Sequence, residues 1–124
     1  MSRYPDIISG LPEADAEFKG VKAWLLRGPT ASAIFVEACQ DAEISAHSHG
    51  APWGIVVDGE LDLTTGEARK SDRRGEEYFI PSGVRHSARL MAGVRVIDFF
   101  GDPDRYRLKT CGVTWPARRR GRTV

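Results

Sequence analysis

Apolar residues recur in short stretches along the first hundred residues, either alternating with polar residues or in brief continuous runs. Alternation with a period of two is typical of a strand with one buried face, because successive side chains point to opposite sides. Clusters containing glycine and proline separate the stretches and indicate turns. The pattern predicts eight strands, at residues 21–26, 31–39, 44–49, 53–57, 60–64, 77–80, 84–90 and 94–100.

Two dipeptides are candidate tight turns between these strands. Asp58-Gly59 favours a type I′ hairpin turn, and Thr65-Gly66 predicts a second tight turn. No segment keeps an apolar period of 3.6 residues over three turns, and the best helix candidate, residues 104–109, is very short. Many short strands at regular spacing therefore predict an all-β sandwich or barrel.

The chain of 124 residues is most simply one domain. We expect residues 21–110 to form the barrel. Residues 1–20 are expected to be an N-terminal extension or an edge strand, and residues 111–124 a flexible basic tail.

Charge is unevenly distributed, although the net charge is only +1. Residues 117–124 carry four arginines and no acid, which leaves a mildly acidic remainder. The globular part is therefore not expected to bind nucleic acid, and a solvated tail is preferred over a nucleic-acid contact. Isolated Cys39 and Cys111 form no disulfide framework or zinc knuckle. Without a signal-like or membrane-length apolar run, we expect a cytoplasmic protein with no membrane partner.

All three histidines of the chain lie in two short segments. His47 and His49 form a His-x-His pair within residues 44–50, and His86 ends residues 75–86. A His-x-His pair on a strand points both imidazoles to one face. A third imidazole from a distant strand could complete one side of a metal's coordination sphere. The alternative is a cluster of hydrogen-bonded structural histidines without metal.

These segments resemble the two motifs of the cupin superfamily. The first motif has a strand bearing His-x-His and ends at a glycine after a strand. The second is a glycine, five residues, Pro-x-Gly, two residues and a histidine. The matching residues are His47, His49 and Gly59 in the first motif, and Gly75, Pro81, Gly83 and His86 in the second. The resemblance covers residues 20 to 100 and implies a double-stranded β-helix, or jelly-roll, cupin barrel with a metal on His47, His49 and His86.

The chain departs from the cupin pattern at one position. Metal-binding cupins usually place a glutamate or glutamine three or four residues after the second histidine, where it serves as a fourth ligand. Pro52 or Trp53 stands there instead, and neither can bind a metal. Three imidazoles with open positions resemble a catalytic zinc arrangement. Nickel, iron, manganese or copper also fit, although the missing carboxylate disfavours the harder ions.

Asp98 is the candidate catalytic residue. By alternation it shares the inward face of its strand with Val96 and Phe100, where a carboxylate is costly unless it is paired or functional. It could act as a general acid or base beside the metal. It could equally orient a ligand histidine, or a register slip could turn it outward.

The strand of Asp98 also resembles that of the small uronate-linearising cupins of pectin breakdown. These carry an aspartate on the corresponding strand, followed by an aromatic residue and an arginine, and Asp98, Phe100 and Arg105 could play those parts. The resemblance suggests small polar acids as substrates. Trp53 is a further candidate wall of the pocket, although a core role is preferred.

The resemblance implies a metal-dependent enzyme for a small organic molecule, of isomerase, lyase or dioxygenase type. The alternative is a non-enzymatic small-molecule binder or sensor with weak or no metal. Ile97 and Phe99 should point outward, opposite to Asp98, and such an apolar face could join two copies as a homodimer. With so few residues after the barrel, we do not expect a fused helix-turn-helix domain, as in a transcription factor of the arabinose-regulator type.

Overall fold

The computed structural model describes residues 3–15, 19–47 and 52–109, without the side chains of residues 45–47. This part of the chain forms one short helix, α1 (Asp6–Ser9), and nine strands. The strands are β1 (Val21–Arg27), β2 (Ser32–Ala38), β3 (Ala42–His47), β4 (Pro52–Asp58), β5 (Glu60–Thr65), β6 (Ala68–Arg73), β7 (Glu77–Phe79), β8 (His86–Leu90) and β9 (Arg95–Phe100). No helix in the described ranges is long and apolar enough to span a bilayer.

The strands form two antiparallel sheets. One has five strands in the order β1-β2-β9-β4-β7, and the other has four in the order β3-β8-β5-β6. Their apolar faces enclose the core, to which both sheets contribute fully buried residues such as Val56 and Leu90. Burying one face of each sheet against the other removes both apolar surfaces from water. The predicted all-β jelly-roll architecture is confirmed.

Alternation along β9 decides which of its side chains face the interior. Val96 and Phe100 are 3% and 4% exposed, whereas Phe99 is 45% exposed on the outer face. The outward prediction for Phe99 is therefore confirmed. β2 instead buries six of its seven residues, because its outer face is covered as well.

The N-terminal residues provide this cover. Tyr4 is 4% exposed, and its ring meets those of Trp24 and Phe35 edge-on on the outer face of the five-stranded sheet. The Tyr4 hydroxyl donates to the carbonyl oxygens of Val36 at 3.2 Å and Val96 at 2.9 Å, so it ties β2 to β9. The segment before β1 is thus packed against the barrel.

The structure differs from the sequence predictions at two places. Asp58-Gly59 does not close a hairpin: β4 pairs with β7 and β9, whereas β5 pairs with β6 and β8, so the chain changes sheets there. Gly59 has φ +90°, and a Cβ on it would lie 2.7 Å from the Cα of Val94. Strand β6 was not predicted, because only Asp72 in it is buried and its other side chains are exposed.

Residues 104–109, the short helix candidate, form no helix. Arg27 holds this segment against β1 by donating to the carbonyl oxygens of Pro103 at 2.7 Å and Tyr106 at 3.0 Å. Leu108 pairs with Ala14 in an isolated bridge. The predicted tight turn at Thr65-Gly66 is confirmed, since it joins β5 and β6 with Thr65 opposite Ala68. The basic tail, 111–124, lies outside the described residues.

Candidate active site and metal centre

A cavity of about 80 Å³ lies between the two sheets. Both sheets contribute to its wall, together with one residue from the segment after β9. Most of the wall is aliphatic, which favours exclusion of water, and its polar side chains are Tyr78, His86, Asp98 and Tyr106. The apolar lining residues are Val21, Ile34, Val36, Ile44, Pro52, Leu61, Leu63, Ile80, Ala88, Leu90, Val96 and Phe100.

His86 lies at the start of β8, is 6% exposed and faces this cavity. Its Nδ1 lies 3.1 Å from the carbonyl oxygen of Val84. A carbonyl oxygen can only accept a hydrogen bond, so Nδ1 is a protonated nitrogen of this ring. Metal-binding histidines commonly have this arrangement, with one nitrogen fixed by a backbone carbonyl and the other available as a ligand.

Strand pairing places the first histidine motif beside the second. In the antiparallel pair β3–β8, position 47 lies directly opposite position 86, after a register irregularity between Ile44 and His47. The side chain of His47 and the whole of His49 lie outside the described residues. Within the described ranges, no three His, Cys, Asp or Glu side chains form a metal-binding group. The backbone register therefore brings together two of the three histidine positions, from different motifs.

Asp98 and Tyr78 form a hydrogen-bonded pair on the opposite sheet. The Tyr78 hydroxyl donates to Oδ1 of Asp98 at 2.5 Å. The two residues lie on β7 and β9 and are separated by β4, where Gly54 is the register partner of both. A Cβ on Gly54 would overlap with Cζ of Tyr78 and Oδ1 of Asp98. The phenol reaches the carboxylate because position 54 has no side chain.

The surroundings of this pair change the acidity of both groups. Burial raises the pKa of Asp98 from 3.8 to about 6, while the Tyr78 hydrogen bond and the charge of Arg105 oppose the rise. Burial and the neighbouring Asp98 carboxylate raise the pKa of Tyr78 well above 10. Tyr78 therefore stays a protonated donor at neutral pH. Asp98 can exchange a proton close to neutral pH, as a general acid or base must.

Arg105 lies beside Asp98, on the segment after β9. Its guanidinium carbon is 5.4 Å from the ring centre of Phe100 and 4.4 Å from that of Tyr106, and both rings line the cavity. Its Nε is buried and has no hydrogen-bond partner in the described part of the chain. Phe100 is a wall residue, as expected, whereas Arg105 is not among the described lining residues and instead contacts the rings of Phe100 and Tyr106.

Structural comparisons identify the fold. The structure matches an RmlC-like cupin from Shewanella frigidimarina at 24% identity and a TM-score of 0.69, over 85% of this chain and 94% of the other. It matches KdgF from Halomonas sp. at 23% identity and a TM-score of 0.68, over 78% and 90%. The fold is that of a small cupin.

Larger cupin proteins share the same domain. Oxalate decarboxylase from Bacillus subtilis, which has Mn(II) centres, matches at 18% identity and a TM-score of 0.67, over 77% of this chain but only 28% of its own. No protein-family model matches the chain, and no curated protein sequence matches it. At these identities the comparisons establish the cupin fold, and the chemistry must be argued from the site.

The cupin barrel also shows what occupies the place of the usual fourth ligand. Pro52 lines the cavity, while Trp53 is 37% exposed on the outer face. Trp53 takes neither the preferred core position nor a place among the described lining residues, because alternation along β4 turns Pro52 and Gly54 inward and Trp53 outward. Trp53 instead contacts Phe99 and donates from Nε1 to Glu77 at 3.1 Å.

Neither Tyr78 nor Gly54 stands out in the sequence as a site residue. The available signal was a glycine in the interior of an apolar strand, which often marks a close approach by another group. That signal does not name the approaching group. The pairing of β4 with both β7 and β9 supplies it, and such long-range pairing could not be obtained from the residues alone.

Proposed function

We propose that this cupin barrel is a metal-dependent enzyme that acts on a small organic acid, by an isomerase, lyase or dioxygenase type of reaction. The observation that carries the proposal is the arrangement of the cavity. One wall carries a buried histidine opposite a second histidine position. The facing sheet carries a carboxylate with a pKa of about 6.

The metal would be held by His47, His49 and His86. Two features support this donor set: the register that pairs positions 47 and 86, and the carbonyl of Val84, which fixes the His86 ring through Nδ1. Neutral imidazoles suit zinc, nickel, iron and copper, and manganese stays possible. When bound, such an ion supplies Lewis-acid polarisation of a substrate oxygen.

Asp98 would move the proton. Burial within a largely aliphatic wall raises the pKa of this carboxylate, so it can act as a base or, when protonated, as an acid. The alternative role, in which Asp98 orients a ligand histidine, is less well supported. The hydrogen bond of its Oδ1 goes to Tyr78, and the carbonyl of Val84 already holds His86.

Arg105 would bind the acid group of the substrate. Its Nε is buried without a hydrogen-bond partner among the described residues, and two aromatic rings hold its guanidinium in place. A planar guanidinium is well suited to a carboxylate. The small, largely aliphatic cavity limits the rest of the substrate to a compact body with one carbonyl or hydroxyl group.

Metal analysis of protein purified without a histidine tag tests the metal centre. We expect close to one transition-metal ion per chain in the wild type and a marked loss in His47→Ala, His49→Ala and His86→Ala. Cys39→Ser is the matched control, because Cys39 is an exposed free thiol, and it should keep the metal. Metal content near zero in the wild type, unchanged by the three alanine substitutions, would refute the centre.

Turnover of a panel of keto acids and sugar acids tests the role of Asp98. Asp98→Asn should retain the metal and lose most activity, because the amide cannot exchange the proton. Full activity in this variant would exclude proton transfer by Asp98 while leaving the metal centre intact.

A non-enzymatic binder is the second candidate. It is favoured by Pro52, an inward residue that offers no ligand where metal-binding cupins usually have a carboxylate or amide. Thermal shift with metals and with the same acids separates the two functions. Stabilisation by an acid, combined with no conversion of it in the presence of any metal, would favour the binder.

We also propose that two copies associate through the outer face of the five-stranded sheet. Phe79, Trp53 and Phe99 lie side by side across β7, β4 and β9 and are 59%, 37% and 45% exposed. An uncharged row of rings can pair with itself about a twofold axis. Phe99→Ser should shift a dimer toward monomer in sedimentation, whereas Ile7→Ser, which removes an 83% exposed residue on α1, should not. A wild-type monomer at high concentration would exclude the dimer.

A further inference from the structure

Tyr78 and Gly54 together control the orientation of Asp98. Tyr78 is 8% exposed and faces the cavity from β7, the edge strand of the five-stranded sheet. Its hydroxyl spans the width of β4 to reach Oδ1 of Asp98 on β9. The intervening position holds the one residue type that leaves room for the phenol, since a Cβ there would overlap both partners.

This arrangement distinguishes the two oxygens of the carboxylate. Oδ1 accepts the Tyr78 hydrogen bond. The carboxylate therefore cannot rotate without breaking a charge-assisted bond in a site of low dielectric. The second oxygen, Oδ2, keeps a fixed place beside it.

We infer that Tyr78 is a positioning residue for Asp98: it occupies Oδ1, leaves Oδ2 as the oxygen that exchanges the proton, and depends on glycine at position 54. The inference rests on the proposed function for its catalytic meaning. Its structural part, the control of the Asp98 carboxylate, can be measured without metal or substrate.

Several other groups act on this pair and must be held constant. Arg105 lies on the segment after β9 and Tyr4 on the N-terminal segment, and both interact electrostatically with Asp98. Asp72 of β6 acts on Tyr78, and His86 of β8 lines the same cavity. Of the two neighbouring strands, β4 presents Gly54 and β2 presents apolar Ile34 opposite Asp98. The test therefore changes only the phenol or the glycine.

The experiment is a carbon-detected NMR titration of the Asp98 carboxyl in metal-free full-length protein. Tyr78→Phe removes one oxygen and should raise the pKa of Asp98 by about one to two pH units, since hydrogen bonds to charged groups are worth about 1.5–3 kcal/mol. Tyr106→Phe is the matched control. It removes a phenol hydroxyl from the same cavity, and it should leave the Asp98 titration nearly unchanged.

Two further variants keep the test decisive if Tyr78→Phe folds poorly. Replacing Tyr78 with 3-fluorotyrosine keeps the ring and makes the hydroxyl a stronger donor, so the pKa of Asp98 should fall rather than rise. Gly54→Ala should raise it as Tyr78→Phe does. Gly101→Ala, whose added Cβ meets no atom within 4 Å, should not. An Asp98 titration that is the same in all of these proteins overturns the inference.

The same variants separate this inference from the proposed function. If the NMR shifts occur but the protein holds no metal and converts no acid, the positioning role stands and the enzyme proposal fails. If an activity is found, the pH profile of kcat in Tyr78→Phe should move with the measured Asp98 titration. A profile that stays in place while the titration moves would refute the catalytic meaning of the pair.

Discussion

Replacing Asp98 with asparagine should stabilise this protein at neutral pH and not in acid. Burial raises the pKa of Asp98 from 3.8 to about 6, so the folded state holds the proton more tightly than the unfolded state does. Below about pH 3 the group is protonated in both states, and burial of the charge costs nothing. Between about pH 3 and 6 the unfolded state ionises first, and above pH 6 the full cost is present.

The size of this effect follows from the difference between the two pKa values. One pKa unit corresponds to about 1.4 kcal/mol, so the charged carboxylate costs the folded state about 3 kcal/mol above pH 6. Asparagine carries no charge at any pH, and its amide oxygen can still accept the hydrogen bond from Tyr78. The stability difference between Asp98→Asn and the wild type should therefore grow by about 3 kcal/mol from pH 3 to pH 7.5.

Urea unfolding of metal-free protein at a series of pH values measures this difference. A change of 3 kcal/mol corresponds to a midpoint shift of about 1–2 M urea for a domain of this size. Asp104→Asn is the matched control, since the Asp104 side chain is 84% exposed, and it should alter stability by less than about 0.5 kcal/mol. A gain for Asp98→Asn that is absent at pH 7.5, or equally large at pH 3, would refute the reasoning.

The other predictions concern packing around the site and under the N-terminal segment. Gly54→Ala should lower the free energy of unfolding by about 1–3 kcal/mol, as overpacking does, whereas Gly101→Ala should change it little. Chemical denaturation of both variants checks this. Equal stability of the two variants would contradict the close approach of Tyr78 and Asp98 to Gly54. Tyr4→Phe should lower the free energy of unfolding by about 1–3 kcal/mol, because the carbonyl oxygens of Val36 and Val96 lose the hydroxyl that donates to both. A thermal unfolding curve that matches the wild type would exclude this. Leu90→Ala should lower the free energy of unfolding by about 2–5 kcal/mol, since Leu90 is 2% exposed between the sheets. A smaller loss in the same thermal scan would mean that neighbouring side chains fill the cavity left by the substitution.

The strand order was not available from the sequence, although most strands were. Alternation located eight of the nine strands because one face of each is apolar. It failed for β6, an edge strand whose only buried side chain is Asp72. It also misread Asp58-Gly59, because a positive-φ glycine serves a change of sheet as well as it serves a hairpin.

The residues of the candidate site were also predictable only in part. The alternation of side chains along their strands alone placed Asp98, Phe100 and His86 toward the interior, and each lines the cavity. The same alternation would also have predicted an outward Trp53, since Trp53 neighbours Gly54 on its strand. The closeness of Trp53 to the histidine motif instead made it a candidate pocket residue. The link between Tyr78 and Asp98 depends on strands that are distant in sequence, and no local pattern contains it.

The packing of Tyr4 has a practical consequence for anyone who shortens this protein. Tyr4 shields Trp24 and Phe35, so the exposed aromatic rings of the described residues on this face are those around β4. Removing the chain through Tyr4 would expose Trp24 and Phe35. Together with the exposed rings around β4, they would form one large apolar surface. Such a truncated protein should precipitate or form open-ended assemblies. An added tag should therefore be placed before Tyr4, and any shortened protein should retain Tyr4.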